Sequence, residues 1–284
     1  MSKKLTLSVA LATYNEEANI RECIKSVKGL AKEVIVVDGS STDKTREIAK
    51  KLGAKVYKTT NKPIFHINKN LAIKKCSGDW ILQLDADERV TPALTKEINK
   101  LLSGSYSGFT DWQAQKPYAD STPPAGYWLK RKNFFLNGYL NKSGQYPDPV
   151  IRLFKKGRGI LPAKSVHEQM KIDGPVAWLK HDLDHYATPS FSRYLQRENR
   201  YSSLTAQELK DQGKTVNPIS FIEHVFVKPI TTFLMIFIRH KGFQDGFPGF
   251  VFALFSGLHH SLSFIKLWEL RRNNRKINLS SDWS

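Results

Sequence analysis

The stretch Gly78-Asp79-Trp80-Ile81-Leu82-Gln83-Leu84-Asp85-Ala86-Asp87-Glu88-Arg89 passes from an apolar strand pattern directly into three acids. The chain carries 44 Lys and Arg against 26 Asp and Glu, so acids packed this densely at the end of a buried strand need a physical reason. Side chains two apart on a strand face the same way, which predicts Asp85 and Asp87 on one side and Ala86 on the other. Two adjacent carboxylates repel, and hard oxygen ligands suit Mg2+ or Mn2+. The plainer alternative is a strand running into an acidic helix start, with Thr91 and Pro92 opening the next helix.

Outward from this stretch, short apolar runs at 5–12, 33–38, 55–57 and 80–85 alternate with amphipathic runs at 18–28, 44–52, 67–76 and 92–102. That alternation predicts an α/β fold with a mostly parallel sheet flanked by crossover helices. Residues 103–148 mix Gly, Ser, Pro, aromatic and basic residues and read as loops and irregular strands around a site, where specificity usually resides. A strand pattern returns at 150–154, and a polar helix is expected at 189–212. We therefore divide the chain into 1–188, with halves at 1–102 and 103–188, and a helical, basic and apolar region at 189–284.

With 284 residues, 40% of them hydrophobic, and a net charge of +18, the chain is expected to be globular with an anionic partner. Nucleic acid, an acidic membrane surface and a phosphorylated small molecule all fit that charge. Cys23 and Cys76 lie in helical patterns without metal-type spacing and read as buried thiols of a reducing compartment. The N-terminus reads as a first core strand rather than a signal peptide. Near the C-terminus, the run 219–238 is interrupted by Glu223, His224, Lys228 and Pro229. The run 247–258 is shorter than the roughly 20 residues that cross a bilayer core of about 30 Å. Phenylalanines and Trp268 interleaved with Lys and Arg suit helices lying in the headgroup layer of an anionic membrane, against the alternatives of core packing and true spanning. The expected location is cytoplasmic, peripheral on the inner face of the plasma membrane.

Three strand ends finish in polar residues: Ala12-Thr13-Tyr14-Asn15-Glu16-Glu17, Val37-Asp38-Gly39-Ser40-Ser41-Thr42-Asp43, and the acidic stretch above. In an open parallel sheet, ligands bind beyond the carboxyl ends of the strands, so these three should converge. Asp38 can accept hydrogen bonds from a ribose or base, and Gly39 lets the backbone approach closely. There is no P-loop and no G-x-G-x-x-G turn, so phosphates would have to be handled by a metal.

These motifs, TYNEE, VVDGSSTDKT, the N-K-N-L-A run at 68–72 and LDADE, resemble those of family 2 inverting glycosyltransferases of the GT-A fold. The likeness continues more loosely through YPDPVIRLFKKG, SVHEQM and GFQDG, which are similar to bacterial lipopolysaccharide-core glucosyltransferases. The resemblance implies that Asp85 reaches the donor ribose or the metal. It also implies that Asp87 binds a divalent ion bridging the donor diphosphate, and that Thr13, Tyr14, Glu16 and Asp38 line the nucleoside pocket. Asn70 falls in the donor-binding set as well. The N-K-N segment departs from the commoner A-R-N pattern, which leaves the role of Lys69 open. Inverting transfer needs a base for the acceptor hydroxyl, and the resemblance places Glu168 there, with His167 as a metal or diphosphate contact. His181, Asp182 and Asp184 are the reserve candidates. Arg152 is either a structural strand residue or a clamp on the diphosphate, with the second favoured.

The expected activity is metal-dependent transfer of a hexose from a UDP-linked donor to a cell-envelope glycan or glycolipid such as lipopolysaccharide core. Transfer to a polyprenyl phosphate is the alternative enzyme. A basic nucleic-acid-binding protein is the alternative from another class, but no helix-turn-helix, zinc or ribonucleoprotein motif supports it, and we expect no nucleic-acid partner.

Overall fold

The computed structural model describes residues 5–272 apart from 63, 106–109, 112–115, 118–122, 164–168 and 189. His167 and Glu168 therefore lie outside the described residues. The elements run β1 (Leu7–Thr13), α1 (Ile20–Ser26), β2 (Glu33–Asp38), α2 (Thr45–Lys51), β3 (Lys55–Lys58), α3 (His66–Lys75), β4 (Trp80–Leu84), β5 (Glu88–Val90) and α4 (Pro92–Leu102). After them come β6 (Thr110–Asp111), β7 (Lys116–Pro117), β8 (Gly126–Phe135), β9 (Gly138–Tyr139), β10 (Asp148–Lys155), β11 (Gly159–Ile160), β12 (Lys171–Ile172) and β13 (Val176–Thr188). Helices α5 (Phe191–Asp211), α6 (Pro218–Ile222), α7 (Lys228–Leu234) and α8 (Gly246–Arg272) complete the described residues, with π-helical turns at Glu223–Val227 and Met235–Arg239 and a 3-10 turn at Gly242–Asp245.

The main sheet has the order β3-β2-β1-β4-β10-β8-β13-β6-β7, with β5 added against β13. Its first four strands are parallel, as the alternating sequence pattern requires, and β10 joins β4 antiparallel. Strands β1 and β4 are buried on both faces, which is why they read as continuous apolar runs rather than alternating ones. One acid ties the amino ends of these strands together. Glu33 accepts from Ser8 Oγ at 2.8 Å, from Ser77 N and Oγ at 2.7 Å each, and from Lys55 Nζ at 2.7 Å. Gly78 admits this close approach, because a Cβ there would lie 2.8 Å from the Ser8 backbone nitrogen. Thr91 caps α4 by accepting from Leu94 N at 3.2 Å, with Pro92 in the first turn, as its sequence signature predicts.

Three expectations change. β4 ends at Leu84, so Asp85, Ala86 and Asp87 form a turn closed by Glu88 N to Asp85 O at 3.0 Å, and strand alternation does not set where the two acids point. Within 103–148, where loops and irregular strands were expected, Gly126–Phe135 is a continuous ten-residue strand. It pairs with β10 through a register shift between Ile151 and Leu153. Third, both C-terminal segments are long and apolar enough to cross a membrane by length and composition: Pro218–Arg239 has 22 residues and Gly242–Arg272 has 31. The sequence-based length argument fails because polar residues inside the first run do not break its helix, and because α8 continues well past residue 258.

The chain forms two compact units, 1–132 with 147–185, and 133–146 with 186–284. The core of the first is built from β1, β4, α1 and α4 around Leu7, Val9, Leu82, Leu84, Leu94 and Ile98. In the second, α5, the segment 218–239 and α8 pack side by side. α5 and α8 meet through Ala206, Leu209, Phe264, Leu267 and Leu270. Gly257 sits where α8 crosses Pro229, since a Cβ would stand 2.6 Å from the Pro229 carbonyl oxygen. Cys23 and Cys76 are buried free thiols, as expected.

Candidate active site

The carboxyl ends of β2, β1 and β4 lie side by side, since Thr13 is in register with Asp38 and Leu11 with Leu84. Asp38 is wholly buried. Its carboxylate accepts from Thr13 Oγ1 at 2.9 Å, from Ser41 N at 2.9 Å and from the Ser41 hydroxyl, and Arg46 Nε stands 3.7 Å away. Asp38 thus shapes the turn that follows it rather than offering an open carboxylate. The two loops beyond these strands are laced together. Asn15 N donates to Ser41 Oγ at 2.9 Å, Glu16 N to Thr45 Oγ1 at 2.7 Å, and Thr42 N to Asn15 Oδ1 at 2.8 Å. This lacing accompanies positive φ at Asn15 and Ser40, 54° and 68°, a backbone shape that Asn tolerates well and Ser adopts uncommonly. Tyr14 is half-buried on the same loop, and Glu16 bonds Asn19 Nδ2 at 2.9 Å.

At the end of β4 the acids are sorted by partner. Asp85 pairs with Lys69 Nζ at 2.5 Å and with Arg152 Nη2 at 2.6 Å. Arg152 also bonds Glu88 Oε1 at 2.7 Å and the Gln83 side chain. Glu88 is fully buried and receives Arg131 at 3.4 Å, and Arg131 forks onto Asp148 at 2.8 and 2.6 Å. The acidic stretch is thus an internal charge network in which Lys69, Arg131 and Arg152 face Asp85, Glu88 and Asp148. Burial pushes the Asp85 carboxyl up, but Arg152 and Lys69 outweigh it and hold it well below the usual carboxylate range. Arg152 is buried and committed to this network, so its structural reading is the better supported.

Asp87 stands apart. Its side chain is a quarter exposed, and His185 Nε2 on β13 lies 3.4 Å from its Oδ2. Burial raises its pKa, and the neighbouring His185 more than reverses the effect. A carboxylate oxygen and an imidazole nitrogen this close offer two donors to Mg2+ or Mn2+, with water and a diphosphate able to fill the remaining positions. No group of three or more such side chains occurs among the described residues. Asp87 and His185 are the pair that could contribute ligands to such an ion.

Asn70 bonds the backbone of Leu161. Its amide donates to Leu161 O at 2.8 Å and accepts from Leu161 N at 3.1 Å, tethering the backbone three residues before the segment 164–168. Among the reserve candidates, Asp182 faces Lys130 at 3.8 Å and His181 N bonds Glu97 at 3.0 Å. His185, Glu88 and Arg131 were not singled out by the sequence. The available signal for His185 was β-alternation with buried Leu183; the pairing of β13 with β5, which sets His185 opposite Glu88, has no local signature. An open concavity of about 580 Å³ lies beside the first loop, lined by Glu17, Thr42, Asp43, Lys44, Arg46 and their neighbours. It includes neither Asp85 nor Asp87, and we locate the candidate site by the strand ends instead.

A mostly parallel sheet whose three adjacent strand ends carry buried and half-buried acids has the arrangement in which open α/β sheets hold their ligands. A profile of the family described as glycosyl transferase family 2 matches residues 8–157, and the chain belongs to that family. It is 31% identical over 99% of its length to an uncharacterized glycosyltransferase of Rickettsia bellii, covering 93% of that protein. It is 28% identical over 95% of its length to the lipopolysaccharide core biosynthesis glycosyltransferase LpsC of Rhizobium meliloti, covering 94% of it. Among solved structures, S. aureus TarS in complex with UDP-GlcNAc is 16% identical with a TM-score of 0.45, over 96% of this chain and 93% of that one.

Proposed function

We propose that this family 2 member transfers a hexose, with inversion, from a UDP-linked sugar to a cell-envelope glycan or glycolipid. The observation that carries the reading is the contiguity of Thr13, Asp38 and the Asp85 to Asp87 turn at neighbouring strand ends, with Asp87 alone of the β4 acids left outside the Arg152 network. The loop 13–17 and the Asp38 turn would hold the nucleoside. Asp87 with His185 would hold Mg2+ or Mn2+, which when bound neutralises the departing diphosphate. Glu168 would take the proton of the acceptor hydroxyl as that oxygen attacks the anomeric carbon opposite the leaving UDP. The full-length match to LpsC supports a lipopolysaccharide-core type of acceptor.

The apolar exposed helices of the second unit suit a lipid-borne acceptor equally well, which keeps polyprenyl phosphate as a second reading. UDP release from a panel of UDP-sugars, with Mn2+ and either a core glycolipid extract or a polyprenyl phosphate, separates the two. Acceptor-stimulated release with the glycolipid alone supports the first reading, stimulation by the polyprenyl phosphate alone supports the second, and no release from any nucleotide sugar removes both.

A further inference from the structure

We infer that the second unit is a monotopic seat: the helical hairpin 218–239 and 246–272 lies in the plane of an anionic bilayer and does not cross it. Along the first helix, Ile219, Ile222, Phe226, Ile230, Leu234 and Ile238 are all exposed, between 49% and 79%, in a stripe without a charged residue. Only 6% of the most apolar part of this helix is buried in the protein. α8 carries a matching stripe from Phe247 through Phe250, Leu254, Leu258 and Leu262 to Ile265. At about 1.5 Å per residue these stripes are about 28 and 27 Å long, close to the roughly 30 Å of a hydrocarbon core, so length alone allows spanning as readily as lying flat.

The neighbours of the stripes decide between the two. α5 runs alongside α8 over most of its length: Phe191 meets Phe255, Glu198 bonds His259 at 3.1 Å, and Ser202 and Ser203 accept from Lys266 Nζ at 2.8 and 2.9 Å. The first helix runs beside α8 in the opposite sense, with Phe237 against Phe250, Thr232 bonded to His260, and His224 stacked on Phe264. The three helices cover the same length, so either all of them cross or none does. α5 contains Arg193, Arg197, Glu198, Arg200, Glu208, Lys210 and Asp211, and helices bearing charges at this density are not inserted into hydrocarbon.

The hairpin's turn is also held in place. Asp245 accepts from Asn141 N, Lys142 N and the Ser143 hydroxyl between 2.8 and 3.1 Å, and Ser143 N donates to His240 O at 3.0 Å. Residues 141–143 belong to the same unit as the hairpin, so these bonds fix its turn within that unit. Arg239 and Lys241 at the turn, and Arg271 and Arg272 at the far end of α8, are exposed at the two ends of the stripes. Apolar stripes bracketed by cations on a chain of net charge +18 match phospholipid tails beneath anionic headgroups.

Two measurements test this on the full chain, and both are independent of glycosyl transfer. In flotation, the protein should rise with phosphatidylglycerol-containing vesicles and much less with pure phosphatidylcholine. The double variant Ile222→Asp with Phe226→Asp should lose at least tenfold in vesicle binding while keeping its far-UV circular dichroism. A variant that still floats, or a wild-type protein that ignores both vesicles and instead forms a stripe-dependent dimer, overturns the lipid assignment. For topology, Arg239→Cys should react with a membrane-impermeant maleimide in inside-out vesicles and not in intact spheroplasts. The milder Lys241→Cys provides the same readout if the first variant is poorly produced, and labelling of either from outside the intact cell would overturn the in-plane placement.

Discussion

Asp85 and Asp87 are two residues apart and have different tasks. Asp85 is held by Lys69 and Arg152, so that cutting this network exposes a structural cost, whereas Asp87 faces His185 and the strand-end space. Replacing Arg152 by Met leaves Asp85 and Glu88 buried with too little positive charge, a loss of about 3–5 kcal/mol by the general behaviour of broken buried pairs. A Tm well below wild type is expected. An unchanged Tm combined with weakened donor binding would instead return Arg152 to the role of diphosphate clamp. Glu33 gives a pH signature. Burial raises its pKa, but Lys55, Ser77 and Ser8 outweigh that and lower it from an ordinary 4.5 to about 2. A depressed folded pKa contributes stability in full above the unfolded value and loses it as pH falls toward the folded one. Glu33→Gln should therefore cost about 1–3 kcal/mol at neutral pH. The gap to wild type should narrow in denaturant melts between about pH 4.5 and pH 2.

Among elements, the hairpin of the second unit depends on Gly257. An interior helical Gly replaced by Ala ordinarily gains roughly 1 kcal/mol. Here the new methyl would meet the Pro229 carbonyl oxygen at 2.6 Å, so the sign reverses and Gly257→Ala should lower the thermal midpoint of the helical signal. The base assignment has its own test. Glu168→Gln should leave UDP binding intact and reduce sugar transfer by at least two orders of magnitude, consistent with loss of a general base. Lost UDP affinity would shift attention to Asp182 and Asp184. The same scale marks what sequence reading reaches. β1, β2 and β4, and the helices between them, were legible because burial on both faces of a parallel sheet leaves a local apolar run. The end of β4 was not, since its turn is set by Glu88 folding back onto Asp85 N at 2.9 Å. The pairing of Arg152 with Asp85 spans 67 positions and that of His185 with Asp87 depends on how β13 is laid against β5; neither leaves a periodic trace. The C-terminal helices were misjudged for length because π-helical turns at Glu223–Val227 and Met235–Arg239 carry the first one past its polar residues and Pro229, and because α8 runs on to Arg272.

For the whole molecule, a net charge of +18 coexists with an acid-rich site because the site's acids are internally paired and the excess bases lie elsewhere, at the termini of the exposed helices among other places. On the inferred membrane seating, surface variants along the 218–239 stripe should change where the enzyme resides and leave nucleotide binding unaltered. The central claim is that the Asp87 carboxylate supports a metal-dependent transfer from a nucleotide sugar. It is tested most directly by comparing acceptor-stimulated UDP release by wild type and Asp87→Asn, a variant of the same shape, at saturating UDP-sugar with Mn2+ or with EDTA. The account predicts release by wild type in Mn2+, its loss in EDTA, and a fall of at least two orders of magnitude in folded Asp87→Asn. Equal release by the two proteins, or release by wild type that is indifferent to EDTA, would contradict it.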